Sequence, residues 1–170
     1  LQDLSRLDKL SKERKLLPEE FSDQGALLIR LNQAPLALET LRKADREYPL
    51  NFRILANLSS AWQTLGEFDR AIQVSEQAIA LAPGKYVDAE KLQLFWIKQL
   101  KKQKAGQKTD NLFNLQFQSS EGKYISGGIE PAQLKTIPKD AIASVQLLAL
   151  WFPADSLLLM QLAEIANASG

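Results

Sequence analysis

Apolar residues recur three and four positions apart along most of this chain, the spacing of a helical stripe. Leu1, Leu4, Leu7 and Leu10 open the series and predict an N-terminal helix before the charged stretch Ser11 to Lys15. Phe68, Ile72, Ile79 and Leu81 supply another stripe, with small Ala71 and Ala78 where two helices must approach. Ala89, Leu92, Phe95, Trp96 and Leu100 carry the same spacing through 86–102. The period then breaks. Residues 103–111 are polar and basic, after which Phe113, Leu115 and Phe117 alternate with Asn114, Gln116 and Gln118. With a turn at Ser119 to Gly122 and a second run at Lys123 to Ser126, the alternation predicts a β-hairpin. Its apolar face is expected to pack on the helices, with Tyr124 or Ile125 opposite, because an isolated two-stranded hairpin is marginal in water. Helical spacing resumes after Pro138 with Ala141, Ile142, Val145, Leu148 and Trp151, and again in Leu159, Leu162, Ala163 and Ala166.

An internal repeat lies beneath these stripes. Phe21 aligns with Leu55, Gly25 with Ser59, Leu28 with Trp62, Ala37 with Ala71, Ala44 with Ala78 and Pro49 with Pro83, every offset being 34 residues. Gly66 supplies the positive-φ residue that a tight interhelical turn needs, and Asn32, the next-best type, stands at the same place in the earlier unit. Pro35 falls in a helical first turn, where no amide donor is lost.

These residues resemble the tetratricopeptide repeat, a helix-turn-helix unit of 34 residues. In 52–85 the resemblance rests on Leu55, Leu58-Ser59, Trp62, Gly66, Ala71, Ala78 and Pro83, with Ser75 departing from the family's aromatic; in 18–51 it rests on Phe21, Gly25, Leu28, Ala37, Leu41, Ala44 and Pro49, with Gln24 departing from Leu. The resemblance implies a mainly α, helical-hairpin solenoid with a small β-hairpin insert. Residues 1–17 form an N-terminal helix that covers the first repeat or ends an earlier one; 18–51 and 52–85 are repeats one and two. Residues 86–153 are a third repeat interrupted by an insert at 103–138, with Gln93 where a small residue is expected and looser packing there. Residues 154–170 read as the first helix of a further unit, which leads to the expectation that the chain is part of a longer repeat protein and that 154–168 pairs with another copy or with a groove of its own chain.

In the family, the first helices line a concave groove that holds a peptide. Carried over by register, the groove positions are Ser22, Ala26, Ile29 and Arg30 in the first unit, Arg53, Asn57, Ser60, Gln63 and Thr64 in the second, and Glu90, Lys91, Leu94 and Lys98 in the third. The resemblance therefore implies a protein-interaction module or scaffold with a peptide or protein partner. A carboxylate clamp known in some members would fall on Ser22, Ala26, Asn57, Val87 and Lys91, where only Asn57 and Lys91 agree. A structural spacer within a longer repeat protein is the alternative reading.

Composition removes chemistry and adds little. The chain has no Cys and no His, which excludes a thiol nucleophile, a disulfide, a histidine base and an ordinary Cys/His zinc site. Ala105-Gly106-Gln107-Lys108-Thr109 lacks the spacing of a phosphate loop, and Glu19 and Glu20 read as surface acids, so neither an enzyme nor a cofactor or metal site is expected. With 21 Lys plus Arg against 20 Asp plus Glu, the net charge is +1 and any electrostatic steering is local. Lys91, Lys98, Lys101, Lys102, Lys104 and Lys108 form an acid-free strip between residues 91 and 109, a less favoured polyanion or nucleic-acid surface. The sequons Asn57-Leu58-Ser59 and Asn167-Ala168-Ser169 fall inside expected helices and are set aside. No apolar run approaches the ~18 residues that would span a bilayer. The first residue is Leu1 rather than Met and no signal-peptide pattern is visible, so the compartment is not legible.

Overall fold

A computed structural model describes residues 2–117, 121, 123–129 and 131–169. The protein is mainly helical, and its residues divide into two units, Leu1–Lys101 and Lys102–Gly170.

The first unit holds α1 (Gln2–Glu13), α2 (Pro18–Arg30), α3 (Ala34–Glu47), α4 (Phe52–Thr64), α5 (Phe68–Leu81) and most of α6 (Gly84–Lys104). Helix α2 starts at Pro18, whose missing N–H is no loss there. The Glu20 carboxylate accepts from the Leu17 amide at 2.8 Å and is gripped by both terminal nitrogens of Arg14, at 2.8 and 2.6 Å. The Arg14 hydrogen bonds, followed by that amide, hold its pKa down at about 2. Asn51 caps α4, its Oδ1 accepting from the Ile54 amide at 3.3 Å.

Helices α2 and α3 form one pair and α4 and α5 another; α2 and α3 also pack on α4. Both pairs reverse through a left-handed residue, Asn32 at φ 57° and Gly66 at φ 72°. The expected alanines Ala37, Ala44, Ala71 and Ala78 are fully buried. At the repeat position shared by Gly25 and Ser59, the two pairs solve close packing differently. A Cβ on Gly25 would lie 2.5 Å from Leu41 Cδ2, so the glycine admits the leucine. Ser59 instead donates its hydroxyl to the Ala71 carbonyl at 2.9 Å. One apolar cluster joins Leu28, Leu41, Leu58, Trp62 and Ile97; another joins Leu16, Phe21, Ala44 and Ile54.

The second unit departs from expectation. The β-hairpin is not formed: among the described residues the pairing comes down to the Ile125 amide donating to the Phe117 carbonyl at 3.0 Å, with an isolated bridge at Tyr124. Asparagine explains the failure. Asn111 accepts from the Leu115 amide at 2.6 Å through Oδ1 and donates through Nδ2 to the Leu115 carbonyl, while Asn114 sits at φ 52°. These local bonds offer the backbone an alternative to a ladder and turn it within five residues. Leu112 and Leu115 are consequently the buried pair, whereas Tyr124 and Ile125 are exposed. Residues 118–120 and 122 of the expected hairpin, most of its turn among them, lie outside the described residues, as does Gly170.

Helix α9 (Ser156–Ser169) holds the irregular segment by its polar side chains. Gln161 Oε1 accepts from the Leu112 amide at 2.6 Å. Glu164 accepts from the Gly127 amide at 2.8 Å, from Ser126 Oγ at 3.3 Å and from the Tyr124 hydroxyl. Burial pushes the Glu164 carboxyl up, but those three donors together outweigh it and leave the pKa lowered. A short helix, α7 (Pro131–Leu134), precedes α8 (Ala141–Trp151), which packs on α9. Asp155 caps α9, accepting from the Leu158 amide at 3.0 Å. Ala141, Val145 and Leu148 of α8 and Leu158 and Ile165 of α9 are buried, while Leu157, Leu159 and Met160 are 36–54% exposed.

Candidate functional site

The groove positions carried over by register divide into three groups. Arg30, Arg53, Thr64, Lys91 and Lys98 are exposed; Ala26, Asn57 and Leu94 are half-buried; Ser22, Ile29, Ser60, Gln63 and Glu90 are buried. Ile29 belongs to the apolar cluster with Leu28 and Trp62.

Four of the polar members, Ser22, Asn57, Ser60 and Gln63, make hydrogen bonds between helices. Asn57 Nδ2 donates to both the carbonyl and the hydroxyl of Ser22, each at 2.9 Å, which ties α4 to α2. Gln93 Nε2 donates to Ser60 Oγ at 3.0 Å and to Gln63 Oε1 at 3.3 Å, tying α6 to α4. At the other end, Gln24 Nε2 donates to Asp8 Oδ1 at 2.7 Å. Gln93, expected to loosen the packing, is 1% exposed and supplies the lock at its interface. Two buried acceptors on α6 find no hydrogen-bond partner, Gln93 Oε1 and Glu90 Oε2. Burial pushes the Glu90 carboxyl up to about 7.

The lysine strip meets acids. Lys98 lies 3.6 Å from Glu76, Lys101 bonds Asp69, and Lys102 lies 3.0 Å from Asp110. Among the described residues no group of three or more Asp or Glu is arranged to hold a metal ion, and no helix is long and apolar enough to cross a membrane.

A different cluster of charge was not singled out from the sequence. Where α3 and α5 flank α4, Arg42, Asp45, Arg46 and Arg70 line a cleft of about 400 Å³ floored by Leu58 and Trp62. The Arg70 guanidinium lies over the Trp62 ring, 4.7 Å from its centroid. Its one sequence signal is the Arg42/Arg46 pair, four residues apart and so on one helical face; Arg70 joins it only through the fold.

Comparison with protein-family models, with curated proteins and with solved structures returns no match.

Proposed function

We propose that this chain is a tetratricopeptide-like segment of a helical-repeat solenoid acting as a protein-interaction module, holding a peptide or protein segment along the faces of α2, α4 and α6. The observation that carries this reading is the 34-residue period: both helix pairs reverse at left-handed residues 32 and 66, and α2 packs on α4 as successive units of a solenoid require. The exposed cations on that face, Arg30, Arg53 and Lys91, favour a partner segment bearing acidic side chains. Reversing all three in the variant R30E/R53E/K91E is expected to abolish co-purification of the partner while helical content and melting temperature stay near those of the unaltered protein. Retention of every partner by a folded triple variant would sink the groove reading.

The spacer reading draws on a separate observation, that Ser22, Asn57, Ser60 and Gln63 spend polar groups on neighbouring helices. It becomes the better account if the triple variant is indistinguishable from the parent in every binding assay. Self-association through 154–168 is supported by the exposed Leu157, Leu159 and Met160; light scattering across a concentration series, with and without Met160→Glu, tests it. The polyanion reading is weakened by the acids beside Lys98, Lys101 and Lys102.

A further inference from the structure

We propose that the cleft between α3 and α5 is a binding site for a phosphomonoester dianion, separate from the first-helix face and independent of the function proposed for it. Three guanidiniums against the single carboxylate of Asp45 leave two positive charges unanswered in one small volume. Other cations of this surface stand beside acids one to one, as Arg14 does with Glu20 and Lys98 with Glu76. Arg42 and Arg46 instead repel each other across one helical turn, an arrangement that an anion between them would relieve.

The cleft is also prepared for such a ligand. Trp62 is 9% exposed and its ring is fixed by the core, so the Arg70 guanidinium stacked on it is already oriented before anything binds. Guanidiniums present planar forks of donors that match the oxygens of phosphate, and a phosphomonoester brings about −1.5 to −2 charge at pH 7 with three strong acceptor oxygens. Asp45 adds an acceptor for an N–H or O–H of the group that carries the phosphate. The volume, about 400 Å³, is at the small end of ligand pockets and suits one phosphorylated side chain or one small phosphate ester. A nucleic-acid strand is disfavoured by the same geometry: the charge is confined to one cleft rather than drawn out as a track, and Arg70 covers the ring on which a base would stack.

The test is calorimetric titration of the full chain at low salt with four probes: a short neutral peptide carrying one phosphoserine, the same peptide with glutamate at that position, glycerol phosphate, and a thymidine oligonucleotide. Saturable binding of the phosphopeptide or of glycerol phosphate supports the site, and which of them binds tighter identifies the source of the phosphate. That binding should fall about tenfold or more in R42Q/R46Q and, separately, in R70Q, the scale expected for losing charge-assisted hydrogen bonds. It should persist in K12Q/K139Q, which removes two cations that do not line the cleft. It should also weaken below about pH 6, where the phosphate takes up its second proton while arginine stays charged. Absence of binding by both phosphate probes overturns the proposal. So does equal affinity for the glutamate peptide or the oligonucleotide, or equal loss in K12Q/K139Q.

Discussion

Gly25→Ala tests the close approach of α2 and α3 directly. On an exposed helix the change stabilises by about 1 kcal/mol, because alanine is the better helix former. Here the new Cβ would stand 2.5, 2.6 and 2.8 Å from Cδ2, Cγ and Cδ1 of Leu41. Leu41 is fully buried, and with its branching carbon among the clashing atoms a rotation of the methyl groups alone gives no relief. Overpacking of this kind costs about 1–3 kcal/mol, and three contacts below 3 Å place it in the upper half of that range. Net of the helix gain, Gly25→Ala should destabilise the first unit by about 1–2 kcal/mol, which at ~4–8 °C per kcal/mol for a domain of this size lowers its Tm visibly. Urea unfolding followed by circular dichroism gives the value. In a Leu41→Ala background the obstruction is gone, so the same Gly25→Ala change should become stabilising by up to about 1 kcal/mol. If the single variant is already stabilised, α2 and α3 do not meet at Leu41 and the packing described for the first pair is wrong.

Four other outcomes follow from single polar side chains. Asn57→Ala should cost about 1–2 kcal/mol in chemical denaturation, and adding Ser22→Ala should cost less than its effect alone, because the two share hydrogen bonds. Ser75 is fully buried with its hydroxyl unpartnered, so Ser75→Ala should raise stability by up to about 1 kcal/mol in the same assay. Glu90 has a folded pKa raised to about 7, so its contribution is fully present below its unfolded value near 4.5 and is lost as pH rises through 7; Glu90→Gln should flatten that decline in a series of thermal melts. Glu164 has the opposite sign, its stabilisation being present above its unfolded pKa and lost as pH falls through a lower folded one; Glu164→Ala should speed hydrogen exchange at the Gly127 amide, measured by NMR.

The helix pairs were legible in the sequence because their determinants are local. Asn32 and Gly66 at the turns and the fully buried Ala37, Ala44, Ala71 and Ala78 each act within one hairpin, and the structure places all six as the 34-residue alignment requires. The polar groups were less legible. Nothing in Ser22 or Ser60 reveals whether the hydroxyl faces solvent or a neighbour, since the partners Asn57 and Gln93 lie 35 and 33 residues away. The alternation over 112–117 misled for a related reason: periodicity registers which residues are apolar, but Asn111 redirects the backbone through its side chain. The arginine cleft was legible only as the Arg42/Arg46 spacing, because Arg70 belongs to a different hairpin from those two.

The amide locks also carry information about order. Asn57 finds a hydroxyl on the preceding hairpin because that hairpin has Ser22; the second hairpin has Ala56 at the same repeat position, so a chain that duplicated it would leave Asn57 with only a backbone carbonyl to bond. Gln93 finds Ser60 and Gln63, where the first hairpin would offer Ala26 and Ile29. A shuffled chain would keep every helix, every turn and nearly all of its apolar stripes, yet deprive an interhelical amide of side-chain partners at each wrong junction, at a cost of about 1 kcal/mol per lost hydrogen bond. Sequence divergence between these two repeats thus works as an address: each hairpin has one neighbour it fits, and the succession of units is written into their few buried polar side chains.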